Sequence, residues 1–209
     1  MPRPRLISDE DAFAAFDAAI AEHGPNGVTL ALVAQRLDVT ASALMRRFGS
    51  KQGLFAAFMQ QQLAAQPTMH DALLKAHTHP LEALLALSGH TRQYSTKRSA
   101  YLRHLASFFL QLADDDALVP VIAKWFSGER RWIAERLTEA RARTALKSGT
   151  PVPDLARTLQ AALHGSRLQW ATGGKGTEGA WSRRELEAVL APWRIDHAQE
   201  GATPPSSDR

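Results

Sequence analysis

Leu37–Phe55 reads LDVTASALMRRFGSKQGLF. Thr40 and Ser50 are capping residue types, each one position ahead of a helix-forming run, and Gly49 breaks the chain between those runs. The helix this predicts is short and carries only Leu44 and Phe48 as apolar anchors. Its other positions hold Ala41, Ser42, Ala43, Met45, Arg46 and Arg47. A core helix buries more than this, and a purely solvated helix carries more charge and less alanine. The composition suits a helix that lies against something other than protein.

Outward from this stretch the chain reads as all-α, and no run alternates like a half-buried strand. Ser8 and Asp11 form a capping box ahead of a helix whose Phe13, Phe16 and Ile20 share one face. Gly24 and Pro25 stop it. Thr29 caps a second helix, in which Leu30, Val33, Ala34 and Leu37 repeat as one apolar stripe. Asp38 and Val39 make a tight turn into the third helix. Ser50 caps a fourth, with Leu54, Phe55 and Phe58 inward.

These signals divide the chain into a helix-turn-helix domain over 1–53, a linking helix over 51–65, a second helical domain over 66–195 and a polar tail at 196–209. The stretch AAQPTMHDALLKAHTHP at 64–80 reads as hinge-like, with a proline near each end. Beyond it, amphipathic helices are predicted over 81–94, 97–113, 117–146, 154–172 and 183–193, the fourth of these capped by Asp154.

The sequence has 209 residues, 44% apolar and 22% charged, enough for one or two globular domains. It contains no cysteine, so disulfide and thiolate chemistry are excluded. No run approaches ~18 consecutive apolar residues, and Met1–Arg5 does not lead into a signal-peptide core, so a soluble cytoplasmic protein is expected. The net charge of +4 is mild, but Arg36, Arg46, Arg47 and Lys51 face only Asp38 within 36–51. A local basic patch points to an anionic partner better than the total does.

Two helices joined by about three residues have the shape of a helix-turn-helix. The major groove of duplex DNA admits a helix when its first turn is small, and Ala41, Ser42 and Ala43 meet that need. Arg46, Arg47 and Lys51 are then placed to neutralise flanking phosphates, and the helix starts capped by Thr29, Thr40 and Ser50 offer backbone N–H groups. Arg3 and Arg5, set between prolines, form a candidate minor-groove arm.

The residues from Phe13 to Phe58 resemble the N-terminal domain of TetR-family transcriptional regulators. Thr29, Val33-Ala34, Val39-Thr40, Leu44, Phe48, Ser50-Lys51 and Leu54 fall in the family's pattern without gaps. Three positions depart from it. Asp38 stands where the family has a turn glycine, Met45 replaces a tyrosine that contacts phosphate, and Arg47 replaces a histidine. The resemblance implies a regulator of transcription, not an enzyme. It would be a homodimeric repressor that leaves a palindromic operator when a small, largely apolar ligand binds. It implies no cofactor, no metal and no membrane partner. Thr29, Thr40, Ala41, Ser42, Ala43, Met45, Arg46, Arg47 and Lys51 would contact DNA. A TetR-like fold that binds lipid or acyl ligands and no DNA is the alternative, and a small helical enzyme is a further one.

Two stripes are consistent with a dimer built on the last helices. One holds Leu155, Leu159, Ala162 and Leu163, the other Leu186, Val189, Leu190 and Trp193, and each also suits an internal core. Aromatic residues gather in the middle helices, so Tyr101, His104, Phe108 and Trp125 are the expected ligand-binding residues. Among them His104 shares a helix face with Tyr101 and Phe108 and is the expected orienting group.

Overall fold

The computed structural model describes residues 7–90, 98–111, 116 and 118–195, without the side chains of Arg98, Phe108, Phe109 and Gln111. The candidate arm at Arg3 and Arg5, and the tail at 196–209, lie outside the described residues. Among the described residues the regular elements are helices, joined late in the chain by one isolated bridge between Leu146 and Arg194. The helices are α1 (Asp9–Gly27), α2 (Leu30–Arg36), α3 (Ala41–Phe48), α4 (Lys51–Ala76), α5 (Pro80–Leu85), α6 (Arg98–Gln111), α7 (Val119–Ala142), α8 (Val152–Gly173) and α9 (Glu178–Leu190). No described helix is long and apolar enough to cross a membrane.

The N-terminal caps form as the side chains dictate. Ser8 Oγ accepts from the Asp11 N–H at 3.0 Å and donates to the Asp11 carboxylate at 2.7 Å. Gly24 takes a positive φ of 67°, which kinks α1, and the turn continues to Gly27. The apolar faces of α1 to α4 close on one core containing Phe13, Phe16, Ile20, Val33, Leu44, Leu54 and Phe58. Phe58 packs edge-on against Phe13 at 6.1 Å and Phe16 at 5.9 Å, the geometry that aromatic quadrupoles favour.

The hinge expected at 64–80 is replaced by helix. α4 runs unbroken through Pro67 to Ala76, roughly 39 Å in all. Pro67 is exposed and removes one backbone donor. Packing of the opposite face outweighs that loss. Gln66 Nε2 donates to the Trp125 carbonyl at 3.0 Å, and the His70 ring stacks on Trp132 at 4.6 Å. Tertiary contact overrides local propensity here.

The later boundaries also shift. The helix expected over 81–94 is α5, ending at Leu85, followed by a 3-10 turn over Ala86–Gly89. α8 opens at Val152 after Pro151, with no side-chain cap, and Asp154 instead pairs with Arg157 at 2.9 Å. α9 begins earlier than expected, because Thr177 Oγ1 accepts from the Ala180 N–H at 3.2 Å. The predicted dimer stripes are internal for the most part. Leu155, Leu159, Leu163, Leu186 and Leu190 pack with Leu84, Leu85, Ile133 and Leu137 in the C-terminal core. α9 is fixed to α8 by a Ser166–Ser182 hydroxyl contact of 2.9 Å and by Arg167, which pairs with the buried Glu178 at 3.0 Å.

Gly53 is a position with no freedom. A Cβ there would lie 1.9 Å from the Phe48 carbonyl oxygen, so α3 reaches α4 only because the residue has no side chain. Gly53→Ala should therefore lower stability by roughly 2–3 kcal/mol despite alanine's better helix propensity. Urea unfolding of the variant beside wild type checks this, and an unchanged midpoint contradicts it.

Candidate nucleic-acid interface and its link to the C-terminal domain

The reading of α2, turn and α3 rests on three local devices. Thr29 Oγ1 accepts from the Leu32 N–H at 3.2 Å, and Thr40 Oγ1 accepts from the Ala43 N–H at 3.2 Å. Between them the Val39 N–H returns to the Ala34 carbonyl at 3.1 Å and the Asp38 N–H to Gln35 at 3.3 Å. That pair of bonds is a Schellman turn, which needs a left-handed residue at Asp38. Asp38 has φ 55°, so aspartate fills the glycine position at some cost.

α3 buries Leu44 completely and half-buries Phe48, which packs on Phe13 at 6.1 Å. Ala41, Ser42, Met45 and Arg46 are exposed along one face, with Met45 51% accessible. Ala43 is half-buried. Arg46 makes no ion pair or hydrogen bond among the described residues. Arg47 and Lys51, expected on phosphate, each have an internal partner. Arg47 donates to the Ile7 carbonyl and pairs with Asp9 at 2.7 Å, which ties α3 to the start of α1. Lys51 Nζ donates to the Pro25 carbonyl at 2.9 Å, just after the Gly24 kink.

Of the expected ligand-binding residues, Tyr101 and His104 meet α1 and Trp125 belongs elsewhere. Tyr101 is buried and its hydroxyl donates to the buried Asp17 at 2.8 Å. His104 Nδ1 lies 3.0 Å from the Ile20 carbonyl and 3.2 Å from that of Ala21. With oxygens as its only neighbours there, that nitrogen carries the proton and donates. α6 thus uses both side chains, including the expected orienting group His104, to grip α1. Gly24 makes the grip possible, since a Cβ on it would lie 3.0 Å from the His104 ring. Arg103 on the same helix donates to the Ala171 carbonyl at 2.5 Å, so α6 bridges α1 and α8. The Phe108 side chain lies outside the described residues.

Trp125 belongs to a different cluster, which the sequence did not reveal. It sits edge-on to Phe126 at 5.1 Å and to His164 at 5.6 Å. Beside them Glu129 is buried, 3% exposed, and its Oε2 accepts from His164 Nε2 and Gln160 Nε2, both at 2.8 Å. Burial acts to raise the Glu129 carboxyl, but these hydrogen bonds and the nearby His164 charge hold it below the usual carboxylate range. Across the seam with α4, His70 Nε2, Trp132 Nε1 and Gln62 Nε2 are buried without a hydrogen-bond partner among the described residues. Native interiors hold few such atoms. Burial pushes the His70 imidazole below its ordinary value, with the Glu129 carboxylate opposing in part. The sequence signal was weak: Gln62, Gln66 and His70 recur every fourth residue, a polar stripe on a helix that is otherwise packed. Among the described residues no group of three His, Cys, Asp or Glu side chains is placed to hold a metal ion.

Comparison with known proteins places this geometry. Residues 14–58 match the family model for bacterial regulatory proteins of the tetR family. No curated protein matches the sequence. The fold is similar to that of a transcriptional regulator from Rhodococcus sp. Rha1, at TM-score 0.71 and 20% identity over 91% of this chain and 100% of that one. It is similar to a transcriptional regulator from Saccharomonospora viridis solved with choline, at TM-score 0.73 and 16% identity over 90% and 98% of the chains. FadR from Bacillus subtilis, solved with stearoyl-CoA, gives TM-score 0.65 and 16% identity over 88% and 98%.

The buried His70 and Glu129 make stability pH-dependent in one direction. The unfolded chain protonates its histidine near 6.5 and the folded chain at a lower pH, so stability should fall as pH drops through 6.5. The depressed Glu129 value adds a contribution that is complete above 4.5 and is lost as pH falls through the folded value. Urea midpoints from pH 7.5 to 5 should decline, and His70→Phe, which keeps a ring against Trp132, should flatten the upper part of the decline. An identical slope in the variant removes His70 as its source.

Proposed function

From a TetR-family helix-turn-helix on a TetR-type fold, we propose that the chain is a DNA-binding regulator of transcription, acting as a repressor that a small ligand releases. The observation that carries this is the α3 surface. Ala41, Ser42 and Met45 leave one helix face open at its capped start, and Arg46 adds a cation with no internal partner. A face that small fits a major groove, with Arg46 and the N–H groups after Thr40 on phosphate and the small residues at base edges. Thr29, Arg47 and Lys51 flank it. The internal bonds of Arg47 and Lys51 fix the attitude of α3, and each side chain keeps some exposure for a phosphate. The reading that DNA binding has been lost draws on Met45 and Asp38, but Asp38 completes its turn and Met45 remains on the open face.

The homodimer would use faces other than the predicted stripes. α8 exposes Ala161, Leu168 and Thr172, with Gly165 open between them, and α9 exposes Ala180, Arg184 and Ala188. Small residues at these spacings let two helices approach closely, and two-fold pairing makes the DNA site a palindrome. The domain division would fall near 53–66, with α4 shared by both domains. The effector would bind in the α4–α7–α8 seam, where Trp125 and Phe126 supply aromatic walls and His70, Trp132 and Gln62 supply buried donors. Binding there would change how α7 and α6 meet α1, and the shift is bounded by the ligand's differential affinity for the two arrangements.

Selection of bound duplexes from a random pool should return inverted repeats, and sedimentation should show a dimer at micromolar concentration. Arg46→Ala should weaken binding almost evenly across sequences and lower the salt slope by about one. Substitution of Ser42 should change which sequences are selected. A chain that selects no duplex at low salt is not a DNA-binding regulator.

A further inference from the structure

The outer face of α7 and the first turn of α8 line an open surface depression of about 390 Å³. Arg130, Arg131, Arg157 and Ser127 border it together with the uncharged Ala134, Pro153 and Ala156. Three guanidinium groups around one space repel one another unless an anion joins them. The local carboxylates fill that role only at Arg157. Asp154 pairs with Arg157 at 2.9 Å, with both side chains about two-thirds exposed, and Glu135 reaches only Arg136, at 3.9 Å. Arg131 has no ion pair or hydrogen bond among the described residues. α8 opens here with no side-chain cap, so the positive end of its dipole adds to the same field.

The geometry points to a binding site for a small organic anion, a phosphate- or carboxylate-bearing molecule whose apolar part rests on Ala134, Pro153 and Ala156. Guanidinium forks match both acid groups, and the uncharged border suits a flat or short apolar body. The site is also wired inward. Arg130 Nε donates to Gln160 Oε1 at 3.0 Å, and the buried Gln160 donates in turn to the Glu129 carboxylate at 2.8 Å. An anion that draws Arg130 outward releases one bond of Gln160, so occupancy outside bears on the cluster within. That last step rests on the proposed effector seam, whereas binding itself does not depend on it or on DNA.

Calorimetry at constant ionic strength, with inorganic phosphate, citrate and benzoate as separate probes, tests the site. Saturable binding of one probe per chain is expected, weakened about 10-fold by Arg131→Gln and by Arg157→Gln. Lys75→Gln, exposed at the end of α4, should change nothing. Binding of phosphate alone assigns the site to phosphate-bearing ligands, and binding of citrate or benzoate alone assigns it to carboxylates. The site is overturned if no probe saturates, or if Arg131→Gln binds as wild type does. It is also overturned if Arg131→Gln shifts the sedimentation coefficient while binding stays intact, because the arginines then meet a second copy of the chain. Operator binding measured on the same variants keeps the two readings apart: intact DNA binding with no anion binding removes only this site.

Discussion

The Tyr101 hydroxyl donates to Asp17 at 2.8 Å with both residues buried, and much of the structure depends on that contact. A carboxyl group out of water is costly unless it is hydrogen-bonded, so a shift of α6 that leaves Asp17 buried without the Tyr101 hydroxyl is penalised. His104 reinforces the joint one turn on, at the Gly24 kink, where only a residue without Cβ admits the ring comfortably. The attitude of the N-terminal domain relative to the C-terminal domain is therefore set by polar contacts of definite geometry. Apolar packing alone would let two such surfaces slide.

Two further elements share the load. α4 belongs to both cores, burying Leu54, Phe55 and Phe58 at one end and Leu73 at the other. Leu118, just ahead of α7, is buried in the N-terminal core, and Val121 and Ile122 pack against it. α7 therefore carries the buried Glu129 in its middle and touches the helix-turn-helix core with its first turn. Glu129 and the N-terminal core are thus joined through one helix, without a loop between.

What the sequence disclosed and what it hid follow from range. The caps at Ser8, Thr29, Thr40 and Ser50 bond three residues away, and the left-handed turn at Asp38 spans six, so residue type and spacing sufficed to place them. The open face of α3 was legible for the same reason, because it is what remains after Leu44 and Phe48 turn inward. Pairings over long separations were not legible. Tyr101 and Asp17 lie 84 apart, Gln66 and Trp125 59 apart, and neither residue in a pair signals the other. The placing of His104 beside Tyr101 on one face was correct, but periodicity cannot say what covers a face, and here it is the α1 backbone.

The same distinction explains the dimer stripes. Leu155, Leu159 and Leu163 are the most apolar line on α8 and hence the first claimed by its own core. Ala161 and Thr172 carry no hydrophobic signal in the sequence, because small side chains, more than large apolar ones, line that strip. Intensity of hydrophobicity locates the interior of a chain, while the proposed dimer face combines small residues with an occasional large one such as Leu168, 46% exposed. On α3 the same economy recurs, with alanine and serine around one exposed methionine. The two surfaces differ in the charge beside them: α3 carries the exposed Arg46 and Arg47, whereas α8 offers a nearly neutral strip between Thr158 and Thr172.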